Sequence, residues 1–303
     1  MEKLNITQCP LCGSAHIHAI AKCKDYYASG EEFELYDCDD CGFRFTQGVP
    51  VETEIGKYYE TPDYISHTDT RKGFMNKIYH HVRSYMLGKK ARLVIRVSKK
   101  IGGSLLDVGA GTGYFAHEMD LRGWKVTAAE KSEAARSYAQ KTFSDLQVID
   151  SADISQLEDK RYDVITMWHV MEHVENINAE WELLSRLLKD RGRLIIAVPN
   201  CASADEAIYK TDWAAYDVPR HLWHFTPDTM RRMAEKHHFT LTSLYPMPFD
   251  AFYVSMLSEK YRGHKNYFAK GLLNGLKAGV KAYRDIKLSS SVIFVFKKSD
   301  KPK

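Results

Sequence analysis

The run Leu105-Leu106-Asp107-Val108-Gly109-Ala110-Gly111-Thr112-Gly113 (LLDVGAGTG) begins apolar and ends in three alternate glycines. It predicts a strand over 104–108, then a tight turn whose bare backbone can approach a ligand closely, then a helix over 114–122. The same alternation continues downstream. Strands are expected at 124–129, 146–149, 162–167 and 193–198, with helices over 132–142 and 178–189. In the second of these helices Ile177, Trp181, Leu184 and Leu188 form one stripe. Phe225-Thr226-Pro227 opens another helix: Thr226 caps it, Pro227 takes its first position and Phe225 can staple onto Met230. His237 and His238 close that helix at the negative end of its dipole. A strand at 240–245, one long helix over 259–284 and a last strand, VIFVF at 292–296, complete the chain. Strands alternating with helices define an α/β, doubly wound, mostly parallel sheet with its ligand at the carboxyl ends of the strands.

The turn itself narrows the ligand. A dinucleotide fingerprint reads GxGxxG, whereas this turn reads GxGxG and is preceded by an acid, Asp107. That carboxylate would repel a pyrophosphate and attract an α-ammonium group. Glu130 ends the second strand, where a carboxylate can hold ribose hydroxyls. An amino acid joined to a nucleoside, as in S-adenosylmethionine, satisfies both; a plain tight turn or a nicotinamide site is the competing reading.

Composition sets outer limits. The 303 residues are 44% hydrophobic and 27% charged, with a net charge of +4, which is ordinary for a globular chain. No apolar run is long enough to span a membrane, and the start MEKLNITQCP has no signal-peptide core, so a cytoplasmic protein is expected. The charge is uneven. Residues 71–100 hold ten Lys/Arg and residues 260–284 hold seven, neither with an acid, so the remainder of the chain is acidic. These stretches are either solvated helix faces or a surface for an anionic partner.

Cys9-Pro-Leu-Cys12 and Cys38-Asp-Asp-Cys41 are two CxxC pairs, each followed by glycine (Gly13, Gly42). Two such knuckles supply the four thiolates that a tetrahedral Zn²⁺ takes, a closed and therefore structural site. Short strand-like pieces at 16–21, 33–36 and 43–46 complete a zinc ribbon. Cys23 and Cys201 have no partner in sequence and read as small apolar residues. Three regions follow: the ribbon at 1–48; a linker and basic amphipathic helix at 49–100, where Tyr58, Tyr59, Tyr64 and His67 could form a lid; and the α/β domain at 101–303.

From about residue 100 to 298 the chain resembles the class I S-adenosylmethionine-dependent methyltransferases. DVGAGTG (107–113) matches that family's first motif and Glu130 its ribose-binding acid. Within it the chain looks most like a branch with an N-terminal CxxC/CxxC module and an HVxEHV segment. The resemblance implies a Rossmann-like seven-stranded sheet, six strands parallel and VIFVF reversed. It implies cofactor contacts from Asp107, Gly109, Ala110, Gly111, Thr112, Gly113, Glu130, Asp153, Ile154, Trp168 and His169, with Asp150 competing with Asp153 for the adenine amino group.

The acceptor side is less determined. In Trp168-His169-Val170-Met171-Glu172-His173-Val174, one helical turn would place His169, Glu172 and His173 on one face. His173 or His169 could be a general base oriented by Glu172. The group could instead bind a divalent metal, or simply tie the strand end to its neighbours. Pro219-Arg220-His221-Leu222-Trp223-His224-Phe225 lies over the same sheet edge, with Arg220 and His221 as candidates for acceptor recognition and His224 as a possible packing residue. The expected activity is O- or C-methylation of a small or carrier-linked, possibly anionic, molecule; an RNA-modifying enzyme that docks through the ribbon and basic segments is the alternative. The stripe Phe268, Leu272, Leu276, Val280 and Tyr283 is expected to pack on its own domain rather than rest on an anionic membrane.

Overall fold

The computed structural model describes residues 2–59 and 74–299, the side chains of 74–81 excepted. In chain order its elements are β1 (Ile17–Lys24), β2 (Glu32–Cys38), β3 (Arg44–Gln47), α1 (Phe74–Ser98), β4 (Ser104–Val108), α2 (Tyr114–Asp120) and β5 (Lys125–Glu130). Next come α3 (Glu133–Thr142), β6 (Gln147–Asp150), β7 (Tyr162–Trp168), α4 (Ile177–Leu187), β8 (Leu188–Pro199), a one-turn α5 (Glu206–Tyr209) and β9 (Trp223–His224). Then follow α6 (Pro227–Lys236), β10 (Phe239–Pro246), α7 (Asp250–Tyr261), α8 (Tyr267–Arg284) and β11 (Ser291–Lys298). Tyr64 and His67 of the expected lid lie outside the described residues.

Seven strands form one sheet in the order β10-β11-β8-β7-β4-β5-β6. β11 runs antiparallel to both neighbours and the strands from β8 to β6 are parallel, as expected. Side chains alternate across a strand, so Leu105 and Leu106 of β4 enter the cores on opposite faces of the sheet, both fully buried. Trp181 of α4 anchors one face against His237, Phe239 and Phe296. The α6 start is as read from sequence: the Thr226 side chain accepts from Thr229 N, and Thr229 reciprocates.

The N-terminal region is joined to this domain. β9, from the PRHLWHF loop, is the fourth strand of the β1-β2-β3 sheet, with Arg44 opposite His224 and Phe45 opposite Trp223. Phe43 stacks on Trp223 and packs on Phe225, within the same core as Ile165 and Leu194. The ribbon therefore holds the loop carrying His221 in place.

Two expectations fail. The long helix over 259–284 is two helices, α7 and α8, which reverse at Gly263 with φ +70°, a left-handed value that glycine takes without a Cβ clash. The periodicity read over 259–284 belongs to α8, while α7, with two acids and one lysine, begins at Asp250. Nor does the Phe268-Leu272-Leu276-Val280-Tyr283 stripe pack on the domain: all five residues are exposed. α8 is seated through small residues instead. Gly271 and Gly275 lie against Met256 and Phe252 of α7 so closely that a Cβ at either would fall within 3 Å of backbone atoms.

Candidate functional site

The glycine turn is built as its sequence requires. Gly109, Gly111 and Gly113 all have left-handed φ, of 69°, 54° and 81°. A Cβ on Gly109 would stand 2.3 Å from Val170 Cγ2, so glycine alone permits the close approach of the β4 and β7 ends. Above Gly111 the space is open, with no atom within 4 Å of where a Cβ would be. The Glu130 carboxylate forms the rim: Oε2 accepts from Gly111 N at 2.8 Å and Oε1 from Ser132 N at 2.8 Å. The bare cradle beside a carboxylate fits a nucleoside bearing hydroxyls. Asp153 is exposed and Ile154 buried in the turn after β6, while Asp150 is taken up by Arg136 at 2.8 Å and caps Ala152 N.

Asp107 differs from its expected place at the strand's lip. It is 2% exposed, and Oδ1 accepts from Thr166 Oγ1 at 2.7 Å. Burial pushes its pKa up to about 7, opposed by the Thr166 hydroxyl and the Lys90 charge. Alternation along β4 is the reason: with Leu106 and Val108 on one face, residue 107 is carried into the layer beneath the turn.

Trp168 and His169 end β7 beside this cleft. The Lys90 ammonium of α1 lies 4.4 Å over the Trp168 ring. Burial lowers the Lys90 pKa, with Asp250 and Asp107 opposing. His169 takes a left-handed φ of 59° and bridges two acids, Glu172 at 3.3 Å and Asp250 at 3.4 Å. Burial alone would lower its pKa, but Asp250 and Glu172 outweigh it and raise the pKa to about 9. His169 is therefore held as a cation, the wrong form for a general base. Neither Lys90 nor Asp250 was found from sequence: Lys90 is one of ten cations in its stretch, and nothing near Asp250 marks the start of α7.

Glu172, His173 and His221 converge. Each offers a donor atom, and these lie within 4.8 Å of one another. The rings of His173 and His221 meet edge-on at 4.6 Å. His173 Nδ1 donates to Arg220 O at 2.9 Å, with Tyr59 Oη 3.0 Å from the same nitrogen. Burial and the neighbouring His221 push the His173 pKa down to about 4. His221 Nδ1 donates to Ala215 O at 2.9 Å. Glu172 is 1% exposed and neither carboxylate oxygen has a hydrogen-bond partner. Backbone bonds bring the two segments together: Leu222 N donates to Glu172 O at 2.8 Å and Trp223 Nε1 to Val174 O at 2.6 Å. His169 is not part of this cluster. The segment turns as a three-residue 3-10 helix, Met171–His173, so His169 keeps its i,i+3 contact with Glu172 while its other nitrogen faces Asp250 rather than His173 and His221.

Arg220 is not free to recognise an acceptor. Its buried guanidinium donates to Asp25 Oδ1, Asp217 and Tyr58 O, bracing ribbon, loop and linker together. His224 is a packing residue, within 2.9 Å of Thr46 Oγ1 and edge-on to Tyr216.

The four ribbon cysteines also converge. Cys9 and Cys41 Sγ lie 3.4 Å apart, and Cys12 and Cys38 Sγ 3.5 Å apart. The edge of a ZnS₄ tetrahedron with 2.3 Å bonds is roughly 3.8 Å, so the set fits that ion with little movement. Gly13 N and Gly42 N donate to Cys9 O and Cys38 O, making two matching knuckles in which both glycines have left-handed φ. Cys23 and Cys201 are buried apart from the cluster.

The seven-stranded order, the reversed β11 and the glycine turn between β4 and α2 define a class I S-adenosylmethionine-dependent methyltransferase domain. The profile of the family described as "Methyltransferase domain" matches residues 79–244, and the chain belongs to that family. The ubiquinone biosynthesis O-methyltransferase of Rickettsia prowazekii is 35% identical over 153 residues, spanning 48% of this chain and 59% of that protein. The protein of the same name from Alkalilimnicola ehrlichii is 30% identical over 105 residues, covering 33% of this chain and 42% of its own. The chain thus spans about three fifths or less of these relatives' length. The fold is shared with the magnesium protoporphyrin IX methyltransferase of Synechocystis, solved with bound SAH. That likeness has a TM-score of 0.54 and 15% identity, over 82% of this chain and all of the other. The 1,6-didemethyltoxoflavin-N1-methyltransferase of Burkholderia thailandensis shares it with a TM-score of 0.51 and 15% identity, over 91% of this chain. No helix among the described residues is long and apolar enough to cross a membrane.

Proposed function

We propose that this protein transfers the methyl group of S-adenosylmethionine to an oxygen atom of a small or carrier-linked hydroxylated acceptor. The carrying observation is the open glycine turn rimmed by Glu130, inside the segment that matches the methyltransferase-domain family. Oxygen as the receiving atom is supported by the O-methyltransferase names of the relatives. Glu130 holds the ribose, Asp153 and Ile154 the adenine, and Gly109–Gly113 the amino-acid end, with the buried Asp107 carboxyl beneath it. Trp168 and His169 line the methyl-bearing side.

The cofactor supplies the electrophile: the acceptor oxygen forms a bond to the methyl carbon as the carbon–sulfur bond breaks, and sulfur keeps that electron pair. The protein's share is alignment and removal of the acceptor proton. Glu172, His173 and His221 lie at the carboxyl end of β7 and face the acceptor, while His169, charged between Glu172 and Asp250, positions Glu172. Zinc held by Cys9, Cys12, Cys38 and Cys41 is structural and takes no part in the reaction.

Titration calorimetry with S-adenosylmethionine tests the reading. Wild type binds one equivalent, and Glu130→Ala weakens binding by roughly tenfold or more, the loss of a charged hydrogen-bonding pair. Absence of binding by wild type, or equal affinity in the variant, removes the assignment.

A further inference from the structure

We propose that Glu172, His173 and His221 bind a first-row divalent metal ion beyond the carboxyl end of β7. The site deepens the methyl-transfer reading and takes its chemical purpose from it. Its geometry, though, stands on the cluster alone.

Three features point to an ion rather than to a packing cluster. First, both imidazoles are fixed through the same nitrogen. His173 Nδ1 donates to Arg220 O and His221 Nδ1 to Ala215 O. A backbone carbonyl cannot donate, so in each ring Nδ1 carries the hydrogen and Nε2 is left with its lone pair. This is how metal-ligating histidines are oriented by outer groups. His221 Nε2 has only Asp217 Oδ2 near it, at 3.9 Å, beyond hydrogen-bond reach. Second, Glu172 is a buried carboxylate with neither oxygen hydrogen-bonded. His169 Nδ1 lies 3.3 Å from Oε1 without making an aligned bond. Oε2 has no such partner. Buried carboxylates without donors are costly, and they occur where a cation completes them. Third, the donor atoms already lie within 4.8 Å of one another. Around one ion with bonds near 2.1 Å they would stand roughly 3–3.5 Å apart, a closure that side-chain rotation supplies.

Two histidines and one carboxylate leave coordination positions open, unlike the closed Cys₄ site. That opening leaves room for an acceptor oxygen on the same ion. A divalent ion here lowers the acceptor's pKa, so its proton leaves to solvent water before the oxygen attacks the methyl group.

The test uses the full chain carrying one equivalent of zinc, which the four thiolates hold, titrated with Mn²⁺ and followed by loss of the free-ion electron paramagnetic resonance signal. Mn²⁺ prefers nitrogen and oxygen donors and leaves the thiolate site to zinc. The expected result is one Mn²⁺ per chain, with affinity falling roughly tenfold or more in both Glu172→Gln and His221→Gln. Calorimetry with S-adenosylmethionine on each variant shows that the cleft is still folded, because neither residue touches the glycine turn. No Mn²⁺ bound by wild type, or binding undiminished in two variants that still take the cofactor, overturns the site. Cofactor binding lost in wild type while Mn²⁺ still binds would instead overturn the methyl-transfer reading and leave the metal site standing.

Discussion

Arg220 Nη2 lies 3.0 Å from Asp25 Oδ1, across 195 residues of sequence, and neither side chain is more than 2% exposed. The pair joins the ribbon to the loop that presents His221. Arg220 keeps Asp217 when Asp25 is removed, so the loss is that of the Asp25 hydrogen bonds to a buried charge and to the 27–29 backbone, about 1–3 kcal/mol. Asp25→Ala should therefore lower the urea midpoint by that equivalent. Burial would raise the Asp25 pKa, but the Ser29 backbone N–H and the Arg220 guanidinium hold it below the usual carboxylate range. A depressed pKa contributes stability above the unfolded value near 3.9, lost as pH falls through the folded one. Acid titration of stability should be shallower in the variant; an unchanged midpoint and profile would contradict the bracing role.

The His169 pair has the opposite sign. Its folded pKa of about 9 is above the ordinary histidine value of about 6.5. Its contribution is fully present below pH 6.5 or so and is lost as pH rises through about 9. Urea unfolding at points across that window should show wild type weakening more than His169→Asn. Parallel curves would mean that the histidine is not held as a cation.

Gly109 and Gly111 separate space from contact. Gly109→Ala places a methyl against Val170 in a left-handed turn, and strain of this kind costs about 1–3 kcal/mol. Calorimetric melting should show that loss together with weakened cofactor binding. Retained melting temperature and affinity would refute the close approach of the strand ends.

Chelation tests the ribbon. Cys9, Cys38 and Cys41 belong to the main core, so metal loss should be felt well beyond the module. Elemental analysis should find one zinc per chain, and Cys38→Ser or exhaustive chelation should remove it and lower the melting temperature. Cys23→Ser should keep the zinc. Full zinc retention in Cys38→Ser would exclude the cysteine set.

Neighbouring positions on α8 should behave oppositely. Gly275→Leu drives a side chain into Phe252 and should cost about 1–3 kcal/mol. Leu276→Gln alters an exposed residue and should stay within about 0.5 kcal/mol in urea unfolding. Equal losses would mean that the outward stripe carries packing.

Local signals made much of the molecule legible. The glycine turn, the Thr226 cap and the two cysteine knuckles each depend on residues close together in sequence, where backbone sterics and hydrogen-bond capping act directly, whereas the reversal of β11 was implied by the family resemblance alone. The α7–α8 reversal was hidden, because a single glycine, Gly263, marks the turn inside a stretch that stays free of acids from 260 to 284.

The residues alone determined the alternation of strands and helices from β4 to β8, the carboxylate at each of the first two strand ends and the two cysteine pairs, since each follows from short-range stereochemistry. Which side chains share a site was settled only by packing. His169 spans Glu172 and Asp250 rather than meeting His173, His221 joins the cluster through a strand added to the ribbon sheet, and Asp250 arrives from a helix with no local signature. Convergence of that sort depends on contacts between segments far apart along the chain, and no window of sequence contains them.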